Sequence, residues 1–214
     1  MPNAEEEKRV AAEAAAALVP RGATIGLGTG STVELLLPEL ASLDLGLRCV
    51  ATSPGTERAA RALGLQVEPF DTLDRLDIAI DGADQADPAG WLIKGGGGAH
   101  AREKIVARAA DRLIVIVSSE KLVDRLTPPV PLELLEYGIR ATLRALGNTS
   151  LREAPLSPDG GLIADYHAEF DDPAELSALL AGTPGVVDHG LFEPDLVSEI
   201  VVGEGAEARI VVVD

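Results

Sequence analysis

Apolar residues recur at three- and four-residue spacing in some stretches of this chain and run unbroken in others. The first pattern marks amphipathic helices at "EEEKRVAAEAAAALV", "STVELLLPELASL", "GTERAARALG" and "AREKIVARAAD". The second marks short buried strands at "ATIGLG", "LRCVAT", "DIAID" and "RLIVIVS". Helices and strands alternate as far as about residue 125, and such alternation predicts an α/β fold with a doubly wound, mostly parallel sheet. From Thr127 the pattern changes. "TPPVPLELL" is proline-rich and reads as a crossing segment. "EYGIRATLRALG" reads as a helix closed by Gly147, "GGLIADYHAEF" as a strand, "DPAELSALLAG" as a helix and "EIVVGEG" as a further strand. The expected organisation is a Rossmann-like larger domain, residues 1–126 plus 205–214, with a second, smaller α+β domain over residues 127–204. The β-branched end "ARIVVVD" is expected to return to the large sheet.

Composition narrows the function classes. Hydrophobic residues make up 46% of the 214 positions, enough for a sizeable core. No run of about 18 apolar residues occurs, so no membrane span is expected. The acidic, alanine-rich beginning lacks the basic region and apolar core of a signal peptide. A single cysteine, Cys49, excludes an internal disulfide framework, fits a cytoplasmic setting and reads as a core residue. The formal net charge is −17, which argues against a nucleic-acid partner. An anionic substrate would need a local positive potential. Only four of the 18 basic residues are lysines, Lys8, Lys94, Lys104 and Lys121. In an arginine-preferring chain they mark places for a compact ammonium.

Three stretches carry candidate chemistry. "GLGTGST" follows a predicted strand and opens a helix, so its backbone N–H groups and the hydroxyls of Thr29, Ser31 and Thr32 can receive a phosphomonoester. A tight turn with a Ser or Thr cap is the plainer reading. The register is not that of a dinucleotide fingerprint. "DGADQAD" places Asp81 at a strand end, where open α/β sheets bind ligands. Its aspartates fit substrate contacts, local turn hydrogen bonds or Mg²⁺ alike. In "IKGGGGAHAREKIV" Glu103 shares a helical stripe with Val106 and Ala110 and should face inward. Burial there raises a carboxyl toward the range of a general base. An ion pair with Arg102 or Lys104 is the competing reading. The three histidines, His100, His167 and His189, show no zinc-ligand spacing.

Taken in order, "GLGTGST", "TSPGT", "DGADQAD", "KGGGGAHAREK", "SSEK" and "PGVVDHGLF" resemble the ribose-5-phosphate isomerase type A family, from about Lys8 to the C-terminus. The resemblance implies aldose–ketose isomerisation of D-ribose 5-phosphate and D-ribulose 5-phosphate in the pentose phosphate pathway, with no metal and no cofactor, by a homodimer or homotetramer. It implies Glu103 as catalytic base, with Lys94, Asp81 and Asp84 in the chemistry. Thr29, Gly30, Ser31 and Thr32, then Asp81, Gly82, Ala83 and Asp84, then Lys94, Gly95, Gly96, Gly97 and Lys121, are implied to bind substrate, and Lys8 to approach the phosphate. Two departures stand out: Gln85 where the family usually has Glu, and "PDGG" where it usually has "DNGN". The alternatives are a sugar-phosphate-sensing domain and a related sugar-phosphate or acyl-CoA transferase-like enzyme. About 20 residues precede the first predicted strand, too few for a DNA-binding helix-turn-helix beside a scaffold helix.

Overall fold

The computed structural model describes residues 3–213. The strands are β1 (Thr24–Leu27), β2 (Arg48–Ala51), β3 (Gln66–Val67), β4 (Ile78–Gly82), β5 (Gln85–Ala86), β6 (Leu92–Ile93), β7 (Leu113–Ser118), β8 (Val130–Leu134), β9 (Thr149–Leu151), β10 (Leu162–Tyr166), β11 (Val186–His189), β12 (Leu191–Phe192), β13 (Glu199–Glu204) and β14 (Glu207–Val212). The helices are α1 (Ala4–Ala16), α2 (Ser31–Ser42), α3 (Pro54–Ala62), α4 (His100–Ala109), α5 (Ile139–Leu146) and α6 (Pro173–Ala181). Among the described residues no helix is long and apolar enough to cross a membrane.

The expected α/β sheet is present. Seven strands lie in the order β14-β13-β7-β4-β1-β2-β3. All neighbours are parallel except the antiparallel pair of β13 with β14. Central strands are apolar along most of their length, with polar residues such as Asp81 and Ser118 only toward their ends, because both faces are covered. One face packs Ala11, Ala15, Leu36 and Leu40 of α1 and α2 on Ile25, Ile80 and Ile116. The other packs Val106 and Ala107 of α4, with Phe192, on Ala79, Val115 and Val202. From β1 the chain winds outward to β2 and β3, then returns to place β4 on the opposite side of β1. The crevice at the carboxyl ends of β1 and β4 is therefore the topological switch point, where sheets of this kind bind ligands.

Two expectations fail for physical reasons. "TPPVPLELL" is not a crossing segment: it holds β8, buried between β11 and β10 in a four-stranded antiparallel sheet of order β11-β8-β10-β9. A proline is admitted to this inner strand because the Pro131 carbonyl accepts from Gly190 N at 2.7 Å, just past the end of β11. Its missing N–H thus falls where pairing with β11 stops. "EIVVGEG" does not belong to the smaller unit either. It forms β13, parallel to β7 in the large sheet. Ile200, Val201 and Val202 are buried, as a strand covered on both faces requires. "ARIVVVD" does return, as the edge strand β14, with Asp214 outside the described residues.

One buried carboxylate ties α1 to this sheet. Glu7 accepts hydrogen bonds from Ser119 N at 2.9 Å, Ser119 Oγ at 2.7 Å and Gly205 N at 3.1 Å. The Ser119 hydroxyl above all holds its carboxyl below the usual range. The helix sits so close to β13 that a Cβ on Gly203 would lie 1.9 Å from the Glu7 carbonyl oxygen. Gly203→Ala is therefore expected to destabilise the protein by about 1–3 kcal/mol or more, read as a lower urea midpoint at unchanged m-value.

Candidate active site

Three loops meet at the switch point. The first leaves β1 and enters α2 through Gly30, whose φ of 139° favours glycine. Gly28 leaves room for a carboxylate: a Cβ there would lie 2.0 Å from Asp81 Oδ1. The second loop leaves β4 at Asp81. The third is the glycine run between β6 and α4. Together they enclose a cavity of about 170 Å³. It is lined by Thr29, Gly30, Ser31, Thr32, Gly82, Ala83, Asp84, Lys94, Gly95, Gly96, Gly97, Glu103 and Lys121, with Lys8 and Val33.

Asp81 does not line the cavity. It lies beneath the wall, buried, with its oxygens already engaged. Oδ1 accepts from Thr29 N at 3.1 Å and Gly82 N at 2.7 Å, and Oδ2 lies 2.9 Å from Lys94 Nζ. Asp84 faces the cavity and accepts from Gly96 N at 2.8 Å. The two aspartates, indistinguishable in the sequence, thus separate into one behind the lysine and one at the surface of the cavity.

Lys94 Nζ also donates to the Gly82 carbonyl and lies 3.1 Å from Glu103 Oε2. Glu103 stands on the first turn of α4, facing inward as its stripe predicted. Its ion-pair partner is Lys94, and not Arg102 or Lys104, which pair with Asp159 and Asp188. Its Oε2 accepts no well-aligned hydrogen bond. Burial pushes the Glu103 carboxyl up to about 8, the nearby Asp81 charge adds to the rise, and Lys94 opposes it. Burial also raises Asp81. At Lys94 burial works against the charge, but the two carboxylates outweigh it and hold the ammonium above its ordinary value. A buried base beside a fixed cation is suited to moving a proton where negative charge develops on oxygen. At the rim, Lys8 Nζ donates to Ser31 Oγ at 3.0 Å beside the α2 N-terminus, a site for an anion.

Residues 48–207 match the family model for ribose 5-phosphate isomerase A (phosphoriboisomerase A). The ribose-5-phosphate isomerase A of Rhodopseudomonas palustris strain HaA2 is 43% identical over 89% of this chain and 90% of its own. Ribose 5 phosphate isomerase A from Neisseria gonorrhoeae superposes with a TM-score of 0.95 at 32% identity, covering 100% of this chain and 99% of that one. A D-ribose-5-phosphate isomerase solved in complex with phospho-erythronic acid gives a TM-score of 0.93 at 31% identity over 98% and 99% of the two chains. The chain belongs to the ribose 5-phosphate isomerase A family. The sensor and acyl-CoA transferase-like readings are not favoured by these relatives.

Within that family the two departures in sequence have local explanations. Gln85 pairs with Thr127 through both ends of its amide: Nε2 donates to the Thr127 carbonyl at 2.9 Å and Oε1 accepts from Thr127 N at 2.8 Å. A carboxylate could only accept. Asp159 of "PDGG" binds Arg102 through both oxygens, at 2.6 and 2.7 Å, and so braces the turn that carries Glu103. The glycine run is also shaped by its protein neighbours. A Cβ on Gly95 would lie 2.7 Å from His100 Nδ1, and one on Gly96 2.8 Å from Asp84 Oδ1. Sequence reasoning gave no role to Phe192, the last residue of "PGVVDHGLF", whose ring centre lies 5.4 Å from Lys94 Nζ, and missed Arg152, which touches the glycine run from the smaller sheet. Neither has a spacing signal, because each arrives from a distant part of the chain.

The raised Glu103 pKa has a sign consequence. Unfolded, this carboxyl releases its proton near 4.5; folded, it holds it to about 8. Between those values the folded chain binds more protons, so stability falls as pH rises. Glu103→Gln removes this dependence. Urea unfolding of both proteins is expected to show the variant gaining on wild type across that window, with the difference constant below it.

Proposed function

We propose that the chain interconverts D-ribose 5-phosphate and D-ribulose 5-phosphate through an enediolate. The observation that carries the reading is Glu103 and Lys94, 3.1 Å apart at one wall of a cavity whose rim holds the α2 N-terminus and two lysines. Ser31, Thr32 and the first turn of α2, with Lys8 and Lys121, take the phosphate. The open-chain sugar then reaches along the glycine run toward Lys94. Glu103 as carboxylate removes the proton from C2, and the electron pair moves onto the C1 oxygen. A substrate oxygen displaces Glu103 from Lys94, so the ammonium meets the developing charge. Asp84, facing the cavity, passes the proton between the two oxygens. Glu103 returns its proton to C1, which leaves the carbonyl at C2. Asp81 holds Lys94 in place from behind. A metal has no part in this sequence, since the ammonium supplies the positive charge.

Glu103→Gln should lower kcat by about 10²–10⁴-fold, the usual contribution of a positioned acid–base group. Calorimetric affinity for a sugar phosphate acid should change far less, because the amide keeps the side chain's size. Unphosphorylated ribose should lose about 10²-fold or more in kcat/KM, since each charge-assisted hydrogen bond contributes roughly 1.5–3 kcal/mol. A ketose assay on both sugars measures these outcomes. A Glu103→Gln enzyme retaining a tenth of wild-type kcat, by the order of magnitude above, would remove Glu103 as the base.

A homodimer or homotetramer belongs to the same reading. Light scattering after size exclusion is expected to give a mass of two or four chains. The cytoplasm is the proposed setting, which a single cysteine left as a free thiol, Cys49, fits.

A further inference from the structure

Arg152 follows β9 on the smaller antiparallel sheet, yet its guanidinium reaches the glycine run. Nη1 donates to the Gly95 carbonyl at 3.0 Å and to the Gly96 carbonyl at 3.1 Å. Nε and Nη2 are held by the two oxygens of Asp165 on β10, at 2.7 and 2.6 Å. Both side chains are largely buried, at 21% and 17% exposure. A planar fork gripped along one edge by a carboxylate has little freedom left. Its remaining nitrogen therefore holds the direction of both carbonyls, sharing the Gly95 carbonyl with the Gly98 N–H at 3.1 Å and holding the Gly96 carbonyl by itself.

Peptide geometry carries that orientation across the loop. In a trans peptide unit the C=O of one residue and the N–H of the next point in opposite directions. With the Gly95 carbonyl on Arg152, the Gly96 N–H points the other way, and it donates to Asp84. With the Gly96 carbonyl on Arg152, the Gly97 N–H is likewise turned away from the small sheet. Gly97 lines the cavity, and among the described residues its N–H has no acceptor. We propose that Arg152, locked by Asp165, is a positioning residue that aims the Gly97 N–H at a substrate oxygen on which charge develops. Arg152 touches no substrate itself. It acts through two carbonyls, and it joins the smaller sheet to the chemistry. A lysine could not replace it, because one ammonium cannot grip Asp165 bidentately and span two carbonyls as well.

This inference rests on the isomerase reading, so its test separates the two. Wild-type turnover of ribose 5-phosphate tests the reading. Arg152→Lys is expected to lower kcat about tenfold or more, as for a misaimed oxyanion donor. KM should stay within about threefold, because the phosphate contacts remain. Millimolar methylguanidine should restore part of the kcat of Arg152→Ala, and ammonium should not. Amide exchange over residues 95–98 should quicken in Arg152→Lys while α2 exchanges as in wild type, a readout independent of turnover. A kcat within about twofold of wild type, a loss that merely follows the fraction of folded protein, or unchanged exchange at 95–98 would overturn the proposal.

Discussion

The site depends on one buried ammonium held between two buried carboxylates. Charges removed from water are tolerated only when their remaining hydrogen-bonding capacity is met. Lys94 meets this with Asp81, Glu103 and the Gly82 carbonyl, and Asp81 meets it with two backbone N–H groups and Lys94. This cluster joins the loop after β1, the end of β4, and the glycine run with the helix α4 that follows it, three segments separated in the chain. Glu103 is the member left under-satisfied. Its proton affinity is raised, and it has an oxygen free of a well-aligned hydrogen bond. The same arrangement that stabilises the junction therefore leaves one reactive group in it.

Electrostatics on a larger scale runs against the proposed substrate. A formal charge of −17 repels anions at long range. The cavity offsets this locally, with Lys8 and Lys121 at its rim, the N-terminus of α2 beside them and Lys94 in its wall. Screening reduces the distant negative charge more than these close contacts. Three of the four lysines of a chain otherwise rich in arginine thus gather around one cavity on an acidic protein.

The smaller sheet is more than an appendage to this arrangement. Asp159 grips Arg102 beside Glu103, and Arg152 grips the glycine run. Lys104, the next residue after Glu103, is tied to Asp188 and to the His189 carbonyl. Glu103 is thus flanked on both sides by residues anchored to the second sheet. The inward stripe of α4 faces the large sheet through Val106 and Ala107. Helix α4 is fixed from two directions, which suits the role proposed for Glu103, a base that must hold its angle to a small substrate.

The sequence by itself determined the alternation of helices and strands, the three loops and the inward face of Glu103, because these follow from local periodicity and from glycine and hydroxyl chemistry at strand ends. It misplaced β8, since proline carries a strong local signal and only the Gly190 contact shows that the missing N–H is harmless there. It misplaced β13, since a short β-branched run has no address until its neighbours are known. It left Asp81 and Asp84 equivalent, and offered Arg102 and Lys104 as partners for Glu103. Tertiary structure decided those points, and it alone brought Arg152 to the glycine run and Phe192 to Lys94. An ion pair and a pKa depend on distance in space and on loss of water, and neither is encoded in the spacing of residues along a chain.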